Sequence, residues 1–176
     1  MEKILLDVTT IITFISDICS DPSVVSRYGD LEGWKNKNMH VYNQLNDELK
    51  DPVWIKLKNI FDKHELVTTK LAKNKVENII NKFGSSNEIN KLKELFNKIV
   101  VIEDDPSDIF DDIDVKMFND VNISVFGTAY KHNITVISGN VNIISYIRNE
   151  MDIPLKYIAH RPRCFVGKKL EIDITL

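Results

Sequence analysis

Short apolar runs alternating with longer stretches of helical periodicity constrain this 176-residue chain more than any other feature. Ile4 to Val8, Glu65 to Thr69, Ile99 to Ile102, Ile134 to Ile137 and Leu155 to Ala159 read as strands. Between them, helical spacing covers Thr9 to Cys19, a helix starting near Met39 or His40, Val53 to Phe61, Lys70 to Phe83, Ser86 to about Lys98, Asp114 to His132 and Val141 to Met151. Strands joined through helices build a mostly parallel sheet covered on both faces, and ligands of such sheets collect at the C-terminal strand ends. Asp7 and Asn140 fall there.

Local punctuation agrees with this reading. Gly84 stops one helix, and Ser85 with Glu88 supplies a cap for the next. Asp51-Pro52 breaks the chain before Val53. Residues 20–38 contain Pro22, Gly29 and Gly33 and predict a long surface excursion.

With 43% hydrophobic and 28% charged residues, positions 1–176 fit one globular domain. No run of 18 apolar residues occurs and MEKILLDV lacks a signal-peptide pattern, so a cytoplasmic monomer without a membrane partner is expected. Cys19 and Cys164 stand alone, which predicts reduced thiols and no structural zinc. Motifs for nucleotide-triphosphate loops, dinucleotide folds, serine hydrolases and zinc proteases are absent, and His40, His64, His132 and His160 lack ligand spacing. No cofactor is expected.

The net charge of -3 conceals an uneven distribution. Residues 103–120 carry eight acids against Lys116 alone, while residues 155–176 carry five Lys/Arg against two acids. Affinity for phosphate rests on clustered cations, so any RNA contact of this weakly acidic chain must be local. His160, Arg161 and Arg163, set around Pro162, and then Lys168 and Lys169, are the first candidates; a solvated tail is the alternative. Arg27, Trp34, Lys35 and Lys37 mix aromatic and basic side chains as single-strand RNA sites do, unless Trp34 and Tyr28 instead pin the segment to the core. Residues 103–114 read either as a solvated loop or as a surface for a basic partner.

LLDVTTII at the N-terminus, Val125-Phe126-Gly127-Thr128 with Val136-Ile137-Ser138-Gly139-Asn140, and Ala159-His160-Arg161-Pro162-Arg163 together resemble the PIN-like UPF0415 (DUF1308) family over nearly the whole chain. The resemblance implies a three-layer α/β PIN-like domain with a central, mostly parallel sheet of about five strands. The resemblance also implies larger members with an additional N-terminal helical region, and a single-domain form without it is expected here. The single-domain form is similar to a ribosome-associated branch from microsporidia. That likeness implies a dormancy (hibernation) factor that contacts rRNA and ribosomal proteins near the tRNA exit site (E-site), blocks tRNA and mRNA, and so inhibits translation.

PIN-type nucleases hold divalent metals with three or four strand-end carboxylates. Against that pattern Asp7 matches the first position, but Lys70 stands at the second, Asn122 at the third with Asp120 slightly displaced, and Asn140 at the fourth. An ammonium about 5 Å from a divalent ion is repelled by roughly 7 kcal/mol at an effective dielectric near 20. The expectation is therefore a degenerate, non-enzymatic site without metal, with a metal-dependent ribonuclease of rRNA or tRNA as the alternative. Asp7 and Asn140 also read simply as a helix cap and a turn residue.

Overall fold

The computed structural model describes residues 1–20 and 31–165. Five strands, β1 (Lys3–Leu6), β2 (Glu65–Thr69), β3 (Val100–Ile102), β4 (Thr135–Ser138) and β5 (Tyr157–Ala159), form one sheet in the order β3-β2-β1-β4-β5. Every pairing is parallel. The described helices are α1 (Val8–Ile15), α2 (Asp17–Ser20), α3 (Leu31–Lys37), α4 (Met39–Lys50), α5 (Val53–Phe61), α6 (Lys70–Phe83), α7 (Ser86–Phe96), α8 (Asp120–Lys131) and α9 (Val141–Asn149). This is the expected three-layer α/β arrangement around a central parallel sheet.

Alternation along the strands sends side chains to two cores. Ile4, Leu6, Leu66 and Ile137 meet Ile11 and Ile15 of α1, Leu57 of α5, Val76 of α6 and Leu92 of α7. Leu5, Val67 and Val136 face the other way, onto Val125 and Phe126 of α8 and Ile143 and Ile147 of α9. A third cluster joins Ile18, Trp34, Val41 and Leu45.

Three expectations are corrected. Residues 31–37 of the expected surface excursion are helical, with Trp34 only 4% exposed in the third cluster. The helix expected from Asp114 starts at Asp120, because Asn119 caps it by accepting from Asn122 N at 3.0 Å, while Phe118 packs on Phe110 and Tyr146. Arg163, expected to contact RNA, is instead buried against Glu48, with Nε to Oε2 at 3.0 Å and side chains 2% and 3% exposed. Glu48 also accepts from Val53 N and Trp54 N, both at 3.1 Å, so one carboxylate starts α5 and anchors the segment after β5. No described helix is long and apolar enough to cross a membrane.

Another buried acid sits where α7 begins. Glu88 and Ser85 form a capping box, and Glu88 also accepts from Asp17 N at 2.9 Å. Burial pushes the Glu88 carboxyl up to about 7, the two backbone bonds opposing and neighbouring Asp17 adding to the rise.

Removing Arg163 leaves the Glu48 charge buried without its partner. Arg163→Ala is expected to lower stability by about 3–5 kcal/mol in urea denaturation, whereas Arg161→Ala should stay within about 0.5 kcal/mol. For Glu88, the folded chain holds a proton that the unfolded chain, with its ordinary value of 4.5, has released. Between about pH 4.5 and 7 the unfolding free energy should therefore fall as pH rises, by up to about 3 kcal/mol. Denaturant midpoints across that range should show this slope flattened in Glu88→Gln.

Candidate functional site

In this strand order β1 and β4 are central neighbours, while the helices following them pack on opposite faces, α1 in one core and α9 in the other. Doubly wound sheets open a crevice at such a point, beyond the strand ends. Asp7 and Ser138-Gly139-Asn140 stand there.

Asp7 leaves β1 with extended backbone and caps α1, its Oδ1 accepting from Thr10 N at 2.7 Å. Thr9 Oγ1 donates to the same carboxylate at 2.7–2.8 Å, and Ser138 Oγ donates to Oδ2 at 2.5 Å. Each hydroxyl also accepts from the loop after β4: Gly139 N reaches Thr9 Oγ1 at 2.7 Å, and Asn140 N reaches Ser138 Oγ at 2.9 Å. The carboxylate thus ties the start of α1 to the start of α9 through two hydroxyl relays.

The segment after β5 lies across this knot. His160 N donates to Ser138 O at 3.1 Å, and His160 Nε2 meets Thr10 Oγ1 at 2.9 Å. A Cβ at Gly139 would lie 3.0 Å from both His160 Cε1 and Pro162 Cβ, so a side chain here would make the covering segment give by a few tenths of an ångström. Burial raises the Asp7 carboxyl, with the Ser138, Thr9 and Thr10 bonds opposing; burial lowers His160, with the Arg161 carbonyl and Asp7 opposing. Both directions favour a neutral pair.

The strand ends on the other side are also engaged. Thr69 caps α6, and the Lys70 ammonium pairs with Glu103 at 2.6 Å. Asp104, two residues beyond β3, accepts from Leu71 N at 3.1 Å and binds Ser124 Oγ, which also bonds Thr69 Oγ1 at 2.8 Å. Asp105 pairs with Lys131 and, at 2.8 Å, with His132, which holds its carboxyl below the usual range. Gly127 makes room for this acidic segment: a Cβ there would lie 2.6 Å from Pro106 Cβ. Thr128 Oγ1 accepts from Asp105 N at 3.0 Å.

At the remaining expected metal positions, Asn122 donates from Nδ2 to Met117 O at 2.7 Å, and Asn140 caps α9. Asp120, the displaced candidate, is exposed in the first turn of α8. Among the described residues no three His, Cys, Asp or Glu side chains gather closely enough to hold a metal ion. The donors present do not fit a divalent ion: the Asp7 carboxylate is taken up by Thr10 N and by the Thr9 and Ser138 hydroxyls, and the loop after β4 brings Asn140 rather than an acid.

Sequence reasoning overlooked Thr9, Thr10, Ser138, Ser124 and Asp104. The first three stood in the motifs themselves, Thr9 and Thr10 just past Asp7 and Ser138 before Gly139; Asp104 lies two residues beyond β3, near the strand end as Asp7 is at the end of β1. Of the candidate RNA contacts, Arg161 is 70% exposed on its side chain, with Asp47 at 3.9 Å. Lys35 and Lys37 are exposed and lie over the Tyr42 and Trp34 rings at 5.9 and 5.8 Å. His160 is half-buried, Trp34 and Arg163 are internal, and Arg27, Lys168 and Lys169 lie outside the described residues. Arg161 flanks α4 at Asp47 and Lys35 flanks it at Tyr42, so the exposed cations border one helix.

Fold and site thus define a three-layer α/β domain whose strand-end crevice is closed by its own hydrogen bonds. Residues 4–172 match the family described as "Protein of unknown function (DUF1308)", and the chain belongs to that family. Among solved structures it is similar to a chain of VapBC2 from Rickettsia felis bound to a DNA fragment from their promoter. The two share 12% identity over 90% of this chain and 98% of that chain, with a TM-score of 0.45.

Because burial already disfavours the Asp7 charge, Asp7→Asn should cost no more than about 1 kcal/mol, its amide accepting from Thr10 N while the two hydroxyls rotate. Asp7→Ala strands those donors and should cost roughly 2–3 kcal/mol. Thermal unfolding of the two variants beside the parent chain checks the difference.

Proposed function

We propose that this chain is a non-catalytic ribosome-binding dormancy factor that sits near the tRNA exit site and excludes tRNA and mRNA by occupancy. The observation that carries the non-catalytic part is the state of Asp7. A metal nuclease needs carboxylates open to an ion that activates water and neutralises phosphate charge. Here the Asp7 oxygens already accept from Thr10 N, Thr9 Oγ1 and Ser138 Oγ. A cation entering the crevice would have to displace these donors, and would meet Asn140 rather than a second acid.

The choice of the ribosome as partner comes from the family resemblance. The exposed Arg161, Lys35 and Lys37 are compatible with it, since they offer cations to phosphate without requiring any part of the core to open. Arg163 has no part in this contact; its loss would act through folding.

Sedimentation with purified ribosomes tests the reading. Binding is expected to survive Asp7→Asn and to weaken at least tenfold in Arg161→Glu combined with Lys35→Glu and Lys37→Glu, more so as salt rises. In parallel, an RNA panel incubated with Mg²⁺ or Mn²⁺ should remain intact. Metal-dependent cleavage that disappears in Asp7→Asn would establish the ribonuclease alternative instead, and salt-insensitive binding to a protein partner would point to an adaptor.

A further inference from the structure

The opposite end of the sheet holds a pocket of about 360 Å³ that the strand-end site does not use. Its floor comes from the last turn of α1, from α5, from α7 and from the start of β2. His64 precedes β2 and Lys98 precedes β3, so the pocket opens at the N-terminal strand ends, away from Asp7.

Three rings build the floor. Phe14 lies 6.2 Å from Trp54 with the rings 19° from parallel, and 4.6 Å from Phe61. Phe14 and Trp54 are only half-buried, which leaves aromatic surface facing the opening, while Leu66 and Leu95 close the bottom. A second planar ring laid on this floor would remove that surface from water and add stacking.

The rim sets the charge. Lys58 pairs with Asp62 at 2.5 Å, and Lys91 pairs with the buried Asp17 at 2.9 Å. Lys98 and Glu94 also line the pocket, and neither makes an ion pair among the described residues. His64 donates from Nδ1 to Ile60 O at 2.7 Å, which leaves its other ring nitrogen as an acceptor when the ring is neutral. The pocket therefore offers an aromatic floor, one uncommitted cation and acceptors for N–H donors. A polyphosphate would find too few cations, and a purely apolar body would leave Lys98 and Glu94 unused.

We infer that this pocket binds a free nucleoside monophosphate bearing an amino-substituted base, with the base on Trp54 and Phe14, its amino group toward Glu94 and its phosphate toward Lys98. Cation-and-aromatic mixtures of this kind hold a base and phosphate together, and the pocket volume suits a ligand of that size. The inference stands apart from ribosome binding, because it uses none of the residues placed in that role.

Calorimetric titration of the full chain with AMP tests it, with adenosine and inorganic phosphate as separate arms. AMP is expected to bind below about 1 mM, adenosine at least several-fold more weakly, and inorganic phosphate neither to bind nor to compete. Lys98→Glu, an exposed change, and Trp54→Ala should each weaken AMP at least tenfold. Absence of AMP binding up to about 1 mM would overturn the assignment. So would binding that both variants leave unchanged, or phosphate competing as well as AMP.

Discussion

Burial of the Asp7 carboxylate between the two central strands is the constraint on which the closed crevice depends. An acid taken out of water is costly unless donors replace the solvent. Thr10 N, Thr9 Oγ1 and Ser138 Oγ do so, and the last two relay the interaction to Gly139 N and Asn140 N. Since α1 and α9 depart to opposite faces, these bonds span a gap that other doubly wound sheets leave open to ligands. The same geometry that would serve a metal is taken up in joining the two halves of the sheet.

Two glycines of the motif segments follow from close packing. Gly139 allows His160 and Pro162 to lie over the β4–α9 loop, and Gly127 allows Pro106 to approach α8. Thr128, beside it, holds Asp105 N, so the acidic segment is fastened along one edge by backbone and side-chain bonds while Asp108, Asp111 and Asp112 remain exposed. The charge run is thus half structural and half solvated.

Much of the sheet was legible because its strands are short apolar runs and its caps are local: Asp7, Ser85 and Asn140 announce helix starts within three residues. The start of α8 was misplaced because Val115 and Phe118 mimic helical spacing, although Asn119 carried the truer signal. Long-range pairs left no such trace. Arg163 meets a glutamate 115 positions earlier, so nothing in its neighbours separates a buried ion pair from a surface cation. Trp34 was open to both readings because its packing partners Ile18, Val41 and Leu45 come from separate helices on either side of it in the chain.

Three buried carboxylates share one placement, at the start of a helix. Asp7 caps α1; Glu48 accepts from Val53 N and Trp54 N at the start of α5; Glu88 accepts from Ser85 N at its own helix and from Asp17 N at α2. Asp17 in turn is held by Ser85, Asn87 and Lys91. Asp7, Glu48 and Glu88 therefore sit where backbone N–H groups lack internal partners, while Asp17 is held by side chains alone. An acid placed by that logic is already satisfied in the folded state, whereas a catalytic acid must retain an unmet demand that substrate or metal fulfils. Buried acidity among the described residues thus goes into holding helix starts.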